Sequence, residues 1–240
     1  MTSKAQGADV GARRARFRGR IAGAALCVFA ASAMFASASA GGASNGAATS
    51  ATCPPPQETT RTGTPSAKLL AILGVLRRPQ TAADALPAPL NPVSGDAYAR
   101  FIRRARVVAG TAYYVVPVAA QAADCSLRDE IVLVTVEPVG QSAGGGSSVA
   151  QIERGGVGGT RWIGTSGVQY GVVPDSVARV TLGYPRGKRG LRDTVSVAPI
   201  DNVYVAAVPP AARGSVLPVL PQVVVWRSRK GSVLKTFHSR

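Results

Sequence analysis

Short valine-rich runs, separated by glycine and proline, make up most of the chain beyond residue 110. In "SVARVTL", Val180 and Leu182 alternate with Arg179 and Thr181, and such alternation is typical of a strand with one buried face. The pair Lys230-Gly231 predicts the turn of a closing hairpin. The strands predicted from this pattern cover residues 112–118, 130–137, 168–173, 177–183, 194–198, 202–208, 222–228 and 232–237.

Helical patterns precede these strands. The segment "TPSAKLLAILGVLRRPQ" has an N-cap residue at Thr64, a proline at its first helical position and Pro79 at its end, so it predicts one helix. Thr81 indicates the start of a short helix, and the apolar stripe of "DAYARFIRRARVV" predicts a longer one over 96–108. Helices followed by a run of strands predict an α+β fold, in which N-terminal helices precede a mostly antiparallel β-sheet or a small sandwich.

The N-terminus carries the pattern of a secretory signal peptide. Residues 13–20 contain five arginines, an uncharged apolar stretch follows from residue 21, and Ala-Ser-Ala at 38–40 suits signal peptidase. We therefore expect a signal peptide at 1–40, a flexible linker of small residues at 41–63 and a single domain at 64–240, which would be secreted or held at the cell envelope. A twin-arginine signal and an uncleaved membrane anchor are the alternatives.

Two cysteines, Cys53 and Cys125, lie beyond the predicted signal peptide. An exported chain with two cysteines predicts one disulfide, because exported proteins meet an oxidising environment. The bond would join the N-terminal segment to the main domain. Two free thiols are the alternative.

The chain beyond residue 40 is strongly basic, with 22 basic and 11 acidic residues and a formal net charge of +11. A positive surface implies an anionic partner. Few aromatic residues and the lack of a recognisable nucleic-acid-binding motif argue against nucleic acid, so we expect an anionic cell-wall polymer or a membrane surface. An ordinary solvated surface is the alternative. The residues predicted to contact such a partner are Arg77, Arg78, Arg100, Arg103, Arg104, Arg186, Lys188, Arg189 and Arg192.

Catalytic motifs are scarce in this sequence. His238 is the single histidine and lies near the C-terminus, so a metal site lacks ligands and a serine or cysteine nucleophile lacks a base. Ser166 in "GTSG" does not have the G-x-S-x-G spacing, and "GGVGGT" at 155–160 is not a dinucleotide-binding loop. We therefore expect no metal and no cofactor, and the sequence favours a protein that is not an enzyme.

Carboxylates are the remaining catalytic candidates, because a glycosidase needs two of them across a cleft. Asp175, Asp193 and Asp201 lie at the ends of predicted strands. For Asp175, the preceding proline and the flanking valine runs favour a β-turn instead of a reactive group. Asn202 is likewise expected in a turn.

Four segments resemble a group of exported actinobacterial proteins: "LGVLRRPQTAADAL" (73–86), "YGVVPDSVARVTL" (170–182), "DNVYVAAVP" (201–209) and "VVWRSRKGSVLKTF" (224–237). The resemblance covers most of the chain beyond the linker. It implies export and the unity of residues 64–240 as one domain, and it implies no activity, cofactor or catalytic residue. Where we expect glycine after Pro174-Asp175 in this group, the present chain has Ser176.

Three functional hypotheses follow from these observations. The first is a non-enzymatic exported protein that is held at the cell envelope through its basic surface. The second is an extracellular hydrolase of an envelope polymer, using paired carboxylates near Asp175 and Asp201. The third is an adhesion or assembly module that binds a protein partner through a sheet edge or a glycine-rich loop. The sequence does not indicate whether the protein is a monomer or an oligomer.

Overall fold

The computed structural model describes residues 53, 60–87, 96–138, 140–143, 146–156, 158–163, 166–186, 191–209 and 220–238. These residues all belong to one compact unit, Thr49–Arg240. The predicted signal peptide at 1–40 and most of the predicted linker lie outside the described residues. Within the described ranges, no helix is both long enough and apolar enough to cross a membrane.

The described residues form three β-sheets. The seven-stranded sheet contains β1 (Thr60–Arg61), β2 (Asp96–Tyr98), β3 (Arg103–Val108), β4 (Thr111–Gln121), β5 (Leu127–Glu137), β6 (Gly140–Ala143) and β7 (Ser147–Ser148). The three-stranded sheet contains β8 (Gly158–Ile163), β9 (Ser166–Val172) and β12 (Val203–Ala207), in the order β12-β9-β8. The four-stranded sheet contains β10 (Arg179–Arg186), β11 (Leu191–Val197), β13 (Val223–Arg227) and β14 (Val233–His238), in the order β11-β10-β13-β14.

Among the described strands, pairing is antiparallel apart from the short parallel pair β1–β2, which confirms the predicted predominance of antiparallel sheet. Each predicted strand has a counterpart among β4, β5 and β9 to β14. The sequence did not predict β1, which lies within the segment expected to be a flexible linker. It also did not predict β6, β7 and β8, because their glycine- and serine-rich segments carry too little apolar alternation to stand out.

The first predicted helix is shorter than expected. Helix α1 (Ala67–Ile72) begins after Ser66, whose Oγ accepts a hydrogen bond from the third helical N–H at 3.4 Å, and a 3₁₀ helix follows at Gly74–Arg77. The α-helix ends because Leu73 is extended, with φ −120° and ψ 93°. The N–H groups of Gly74 and Val75 donate to the side chains of Asp175 and Asn202, which come from distant parts of the chain. They therefore cannot continue the helical hydrogen bonds.

The other predicted helical segment, 96–108, is not a helix. It forms β2, a single 3₁₀ turn at Ala99–Phe101 and β3. Strand β3 is joined to β4 by the two-residue turn Ala109-Gly110, in which both φ angles are positive, at 48° and 80°. This is the geometry of a tight β-hairpin, and pairing with the long strand β4 overrides the helical periodicity of the arginine-rich segment.

The remaining helical elements are about one turn long. A 3₁₀ turn, Ala82–Asp84, begins directly after Thr81, the predicted N-cap residue. Helix α2 (Val149–Glu153) begins after Ser148, whose Oγ accepts a hydrogen bond from the Gln151 N–H at 3.4 Å. Sheet therefore dominates the described fold, and its helical part is smaller than the sequence predicted.

Strand β12 of the three-stranded sheet is covered on both faces. From β12, Val203 and Val205 pack in a cluster with the seven-stranded sheet, whereas Tyr204 and Ala206 pack in a second cluster with the four-stranded sheet. A strand that is covered on both sides needs apolar residues at every position, and "VYVAA" satisfies this need. A third cluster covers the opposite face of the seven-stranded sheet.

The predicted disulfide joins Cys53 to Cys125, which are 72 residues apart in the sequence. Cys125 has a positive φ of 62° in the turn between β4 and β5, and the Ala122 N–H closes this turn onto the Ser126 carbonyl oxygen at 2.8 Å. The bond attaches the chain near Cys53 to the end of the longest hairpin of the fold.

Candidate functional site

The Asp175 carboxylate accepts hydrogen bonds from three different parts of the chain. Its Oδ1 accepts from the Gly74 N–H at 2.6 Å and from Asn202 Nδ2 at 2.8 Å, and its Oδ2 accepts from the Arg77 guanidinium at 2.7 Å. The predicted turn is present, because the Val177 N–H donates to the Pro174 carbonyl oxygen at 3.0 Å. The carboxylate is therefore a clamp on the segment after α1 as well as part of a turn.

Asn202 extends this clamp into the protein interior. Its side chain is buried, its φ is +64°, and its Oδ1 accepts a hydrogen bond from the Val75 N–H at 2.9 Å. Its Nδ2 donates to the Val173 carbonyl oxygen at 2.9 Å as well as to Asp175. Asn202 lies in a turn as predicted, but the sequence did not reveal that its amide serves two backbone groups.

The charge of Asp175 is stabilised by these contacts. Partial burial would raise the pKa of its carboxyl, but the hydrogen bonds from Asn202, Gly74 and Arg77 outweigh that effect and lower the pKa below its usual value. A carboxyl with a lowered pKa stays ionised at neutral pH and is a poor general acid. Asp201, the other candidate, contacts the Arg78 guanidinium at 3.5 Å.

A second buried network surrounds Asp84, which is 1% exposed. The Arg78 guanidinium donates to both carboxylate oxygens, at 2.7 and 2.9 Å, and the backbone N–H groups of Thr81 and Arg104 donate at 2.7 and 2.8 Å. Burial would raise the pKa of Asp84, but these bonds, above all those from Arg78, hold it far below the usual range. This network fixes the 3₁₀ turn to β3.

Three of the arginines predicted to bind an anionic partner have structural contacts. Arg103 is only 4% exposed, and its guanidinium donates to the carbonyl oxygens of Arg78, Arg100 and Ile102 at 2.7 to 3.1 Å. This burial corrects the prediction for Arg103, which cannot reach a partner. Arg77 and Arg78 are partly exposed but are paired with aspartates, as described above.

The other predicted basic residues differ in position. Arg100 is exposed and Arg104 is half-buried. Arg186 and Arg192 lie on the adjacent strands β10 and β11, one register position apart. Lys188 and Arg189 lie outside the described residues. The structure therefore does not gather the nine predicted residues into one surface within the part of the chain that it describes.

Two neighbouring clefts meet at the tip of the β13–β14 hairpin. The Asp175 cleft has a volume of about 800 Å³ and is lined by Asp175, Asp201, Asn202 and the hairpin residues Arg229 and Lys230, among others. The hairpin cleft has a volume of about 630 Å³. The basic residues that line the hairpin cleft, which we name the basic quartet, are Arg179, Arg227, Arg229 and Lys230.

The register of the four-stranded sheet brings two members of the basic quartet together. Arg179 of β10 lies directly opposite Arg227 of β13, so two positive charges face each other across the strands. Like charges at such a position repel and weaken the sheet. Among the described residues, no carboxylate lies within 4.0 Å of any member of the quartet. An anion in the hairpin cleft would relieve this repulsion.

The tip of the hairpin carries the other two members of the basic quartet. The Ser228 N–H donates to the Ser232 carbonyl oxygen at 2.9 Å, and the Arg227 guanidinium donates to the Gly231 carbonyl oxygen at 3.1 Å. Arg229 and Lys230 are exposed between these contacts. The predicted turn at Lys230-Gly231 pointed to this tip, but the sequence could not show that Arg179, from another strand, joins it.

The other features that the sequence singled out do not form a catalytic or metal-binding arrangement among the described residues. Strand β14 lies at the edge of its sheet, with Val233 52% and Leu234 41% exposed. Ser166 begins β9 and His238 ends β14, so they belong to different sheets. Among the described residues, no three His, Cys, Asp or Glu side chains group as metal ligands would.

Arg229 and Lys230 line both the Asp175 cleft and the hairpin cleft, and among the described residues no carboxylate lies within 4.0 Å of the basic quartet. Comparison with protein-family models, with curated proteins and with solved structures gave no match for this chain.

Proposed function

We propose that this protein is an exported, non-enzymatic binding module of the cell envelope, and that its basic quartet binds an anionic envelope polymer. The observation that carries the proposal is the direct pairing of Arg179 with Arg227, with no carboxylate near either among the described residues. Cross-strand neighbours of like charge are unfavourable on their own, so a bound anion gives this arrangement a physical reason.

The shape of the hairpin cleft favours a polymer over a single small ion. Arg179 and Arg227 lie side by side on the sheet, and Arg229 and Lys230 continue the positive charge onto the hairpin tip. Charges spread along an open cleft match a chain that carries repeated anionic groups. Each exposed contact is weak and screened by salt, so several must act together.

The carboxylates of the adjoining Asp175 cleft support binding more than catalysis. A hydrolase of the two-carboxylate type needs one group that donates a proton. Asp175 has a lowered pKa and contacts Arg77, and Asp201 contacts Arg78. These contacts suit structural carboxylates, and for this reason we do not assign the hydrolase function.

Two features support export. The N-terminal pattern of arginines, apolar residues and Ala-Ser-Ala is that of a signal peptide. The disulfide Cys53–Cys125 suits an oxidising compartment, because thiols are kept reduced in the cytosol. Export to the envelope would expose the basic quartet to cell-wall polymers and lipid headgroups.

Co-sedimentation with isolated cell envelope tests the proposal. We expect the oxidised protein to sediment with envelope at low salt, to be released as salt increases, and not to sediment with envelope stripped of its anionic polymers. The double variant R229Q/K230Q should bind roughly fivefold more weakly, because each exposed charge contributes about 0.2–1 kcal/mol. These two side chains make no hydrogen bond that holds the hairpin among those described.

The matched control is K68Q/R128Q, which removes one lysine and one arginine from exposed positions outside the basic quartet and outside the nine residues predicted from the sequence. It should bind as the unaltered protein does. Equal loss in both double variants would show that only net charge matters and would refute the assignment to the basic quartet. A failure of the unaltered protein to bind at low salt would refute the function itself.

A further inference from the structure

One face of the four-stranded sheet points away from the protein core. Val180 and Leu182 of β10 are fully buried in the cluster that this sheet shares with β12. Successive side chains of a strand point to opposite faces, so Thr181 lies on the face opposite this cluster. The pairing register extends that face across all four strands through four residues, which we name the hydroxyl row: Ser196, Thr181, Val225 and Thr236.

The hydroxyl row is open to solvent and offers both donors and acceptors. Ser196 and Thr236 are exposed, and Thr181 and Val225 are half-buried between them. The hydroxyls of Thr181 and Ser196 share one hydrogen bond at 2.7 Å, which uses only one of their two protons. The row spans three strand spacings, about 14 Å, so it is longer than a single small ion.

The paired arginines of the basic quartet form the neighbouring row on the same face. Arg179 and Arg227 lie two residues along their strands from Thr181 and Val225, a distance of about 7 Å. Residues two apart on a strand point to the same side of the sheet. Positive charge and hydroxyl groups therefore lie side by side on one surface.

The open part of this face is a narrow strip. Gly183 and Val223 pair in the row on the other side of the hydroxyl row, and both are buried. The strip therefore consists of the hydroxyl row and the arginine pair, and the hairpin tip continues it. A chain that runs along the strip, across the strands, would contact the arginines with one edge and the hydroxyl row with the other.

Acidic residues do not lie on this face of the described strands. Asp193 is the acidic residue of the four-stranded sheet, and it pairs with Tyr184, which is fully buried in the core cluster. Paired residues of neighbouring strands point to the same side of a sheet, so Asp193 belongs to the core side. The strip thus combines positive charge with neutral hydroxyls and has no negative charge of its own.

We propose that this strip binds a polyhydroxylated chain, whose anionic groups face Arg179 and Arg227 and whose hydroxyl groups form hydrogen bonds with the hydroxyl row. The inference rests on the proposed function, because it names the chemical class of the anionic envelope polymer. Charge alone would accept any polyanion. The hydroxyl row adds groups that both donate and accept, as the hydroxyls of such a chain do, and a polymer without hydroxyls would lose these bonds.

Polygalacturonate and poly-L-glutamate of equal length are the probes, because both carry one carboxylate in each unit and the first alone carries hydroxyls. Titration calorimetry at low salt measures their affinities for the oxidised protein. We expect polygalacturonate to bind at least fivefold more tightly, a factor that two net hydrogen bonds can supply. Equal affinity for the two polymers would overturn the inference.

Variants of the hydroxyl row test the assignment of this preference. T181V/T236V removes two hydroxyls and keeps the branched shape that suits a strand, so it should weaken polygalacturonate binding about fivefold and leave poly-L-glutamate binding unchanged. S196A, at an exposed position, gives the same test with a smaller loss of about twofold should the double variant fail to fold. The matched control T62V/T64V changes two exposed threonines outside the four-stranded sheet and should bind both polymers as the unaltered protein does.

The two proposals fail in different ways. R229Q/K230Q should weaken the binding of both polymers, because it removes charge and no hydroxyl of the row. An equal loss of both polymers in T181V/T236V, or no loss of either in T181V/T236V and S196A, would overturn the hydroxyl row as a binding surface. If the protein sediments with envelope but does not bind polygalacturonate, the inference falls and the proposed function stands. Failure in both assays would refute both.

Discussion

Asn202 donates a hydrogen bond from its side-chain amide to the Asp175 carboxylate at 2.8 Å, and the two residues come from turns 27 positions apart in the sequence. Each of them also accepts a backbone N–H from the segment that follows α1, from Val75 and Gly74 respectively. The pair therefore joins three separate segments at one point. These two contacts explain why the helix stops at that place.

Substitution of Asn202 should destabilise the fold. Asn202→Ala removes the acceptor for the buried Val75 N–H and places alanine at φ +64°, so we expect a loss of about 3–4 kcal/mol in the free energy of unfolding. Asn202→Gly removes the same side chain but tolerates positive φ, so it should lose about 1 kcal/mol less. Urea unfolding of the oxidised proteins gives both values. Equal stability of the two variants would show that the backbone conformation costs nothing here.

The contribution of Asp175 to stability should depend on pH. Because its pKa is lowered in the folded protein, its stabilising effect is fully present above the unfolded value of about 3.9 and is lost as pH falls through the folded pKa. Asp175→Asn should therefore be less stable than the unaltered protein at pH 7, and the difference should shrink as the pH falls below about 4. Unfolding curves at several pH values measure this difference. If the difference in the free energy of unfolding grew toward low pH, it would contradict the stabilising role of the ionised Asp175 carboxylate.

The sequence predicted the strands well because their signal is local. The alternation of "SVARVTL" and the apolar run of "TAYYVVP" are each visible over a few residues, and they match β10 and β4. The failure at 96–108 has the opposite cause, since pairing with β4 decides the conformation of β3. Over so short a segment, the spacing of apolar residues on one face of a helix can also fit a paired strand. The sequence alone therefore could not distinguish the two.

The candidate site was less accessible to sequence reasoning because its contacts are distant along the chain. Asp175 is 101 residues from Gly74 and 98 from Arg77, and Arg179 meets Arg227 only through the pairing of β10 with β13. Clusters of arginine in the sequence, by contrast, drew attention to Arg103, which the fold buries. The clusters of arginine in the sequence therefore predicted a basic protein. They could not predict which basic side chains remain without a carboxylate partner in the fold.

Arg103 and Arg100 should differ sharply when each is changed to glutamine. Arg103→Gln removes a buried guanidinium that donates to three carbonyl oxygens, so we expect a loss of about 2–4 kcal/mol in the free energy of unfolding. Arg100→Gln, at an exposed position three residues earlier, should change it by less than about 0.5 kcal/mol. Denaturant unfolding compares the two. Similar small effects would mean that the Arg103 contacts do not contribute to the fold.

Reduction of the disulfide should lower stability without changing the folded core. Cys53 and Cys125 are 72 residues apart, and the entropy of closing so long a loop corresponds to about 4 kcal/mol in the chain-entropy model. The observed loss should be no larger than this, because the unfolded chain already retains some compactness. We would compare the unfolding of the oxidised protein, of the protein in reductant and of C53S/C125S, in which the cysteines cannot pair. The last two should agree with each other and should both unfold at lower denaturant than the first. Equal unfolding midpoints for the oxidised and reduced proteins would contradict this prediction. Such a result would mean that the two cysteines are already held close together in the unfolded state. The disulfide would then attach the N-terminal segment to the β4–β5 hairpin without stabilising the domain.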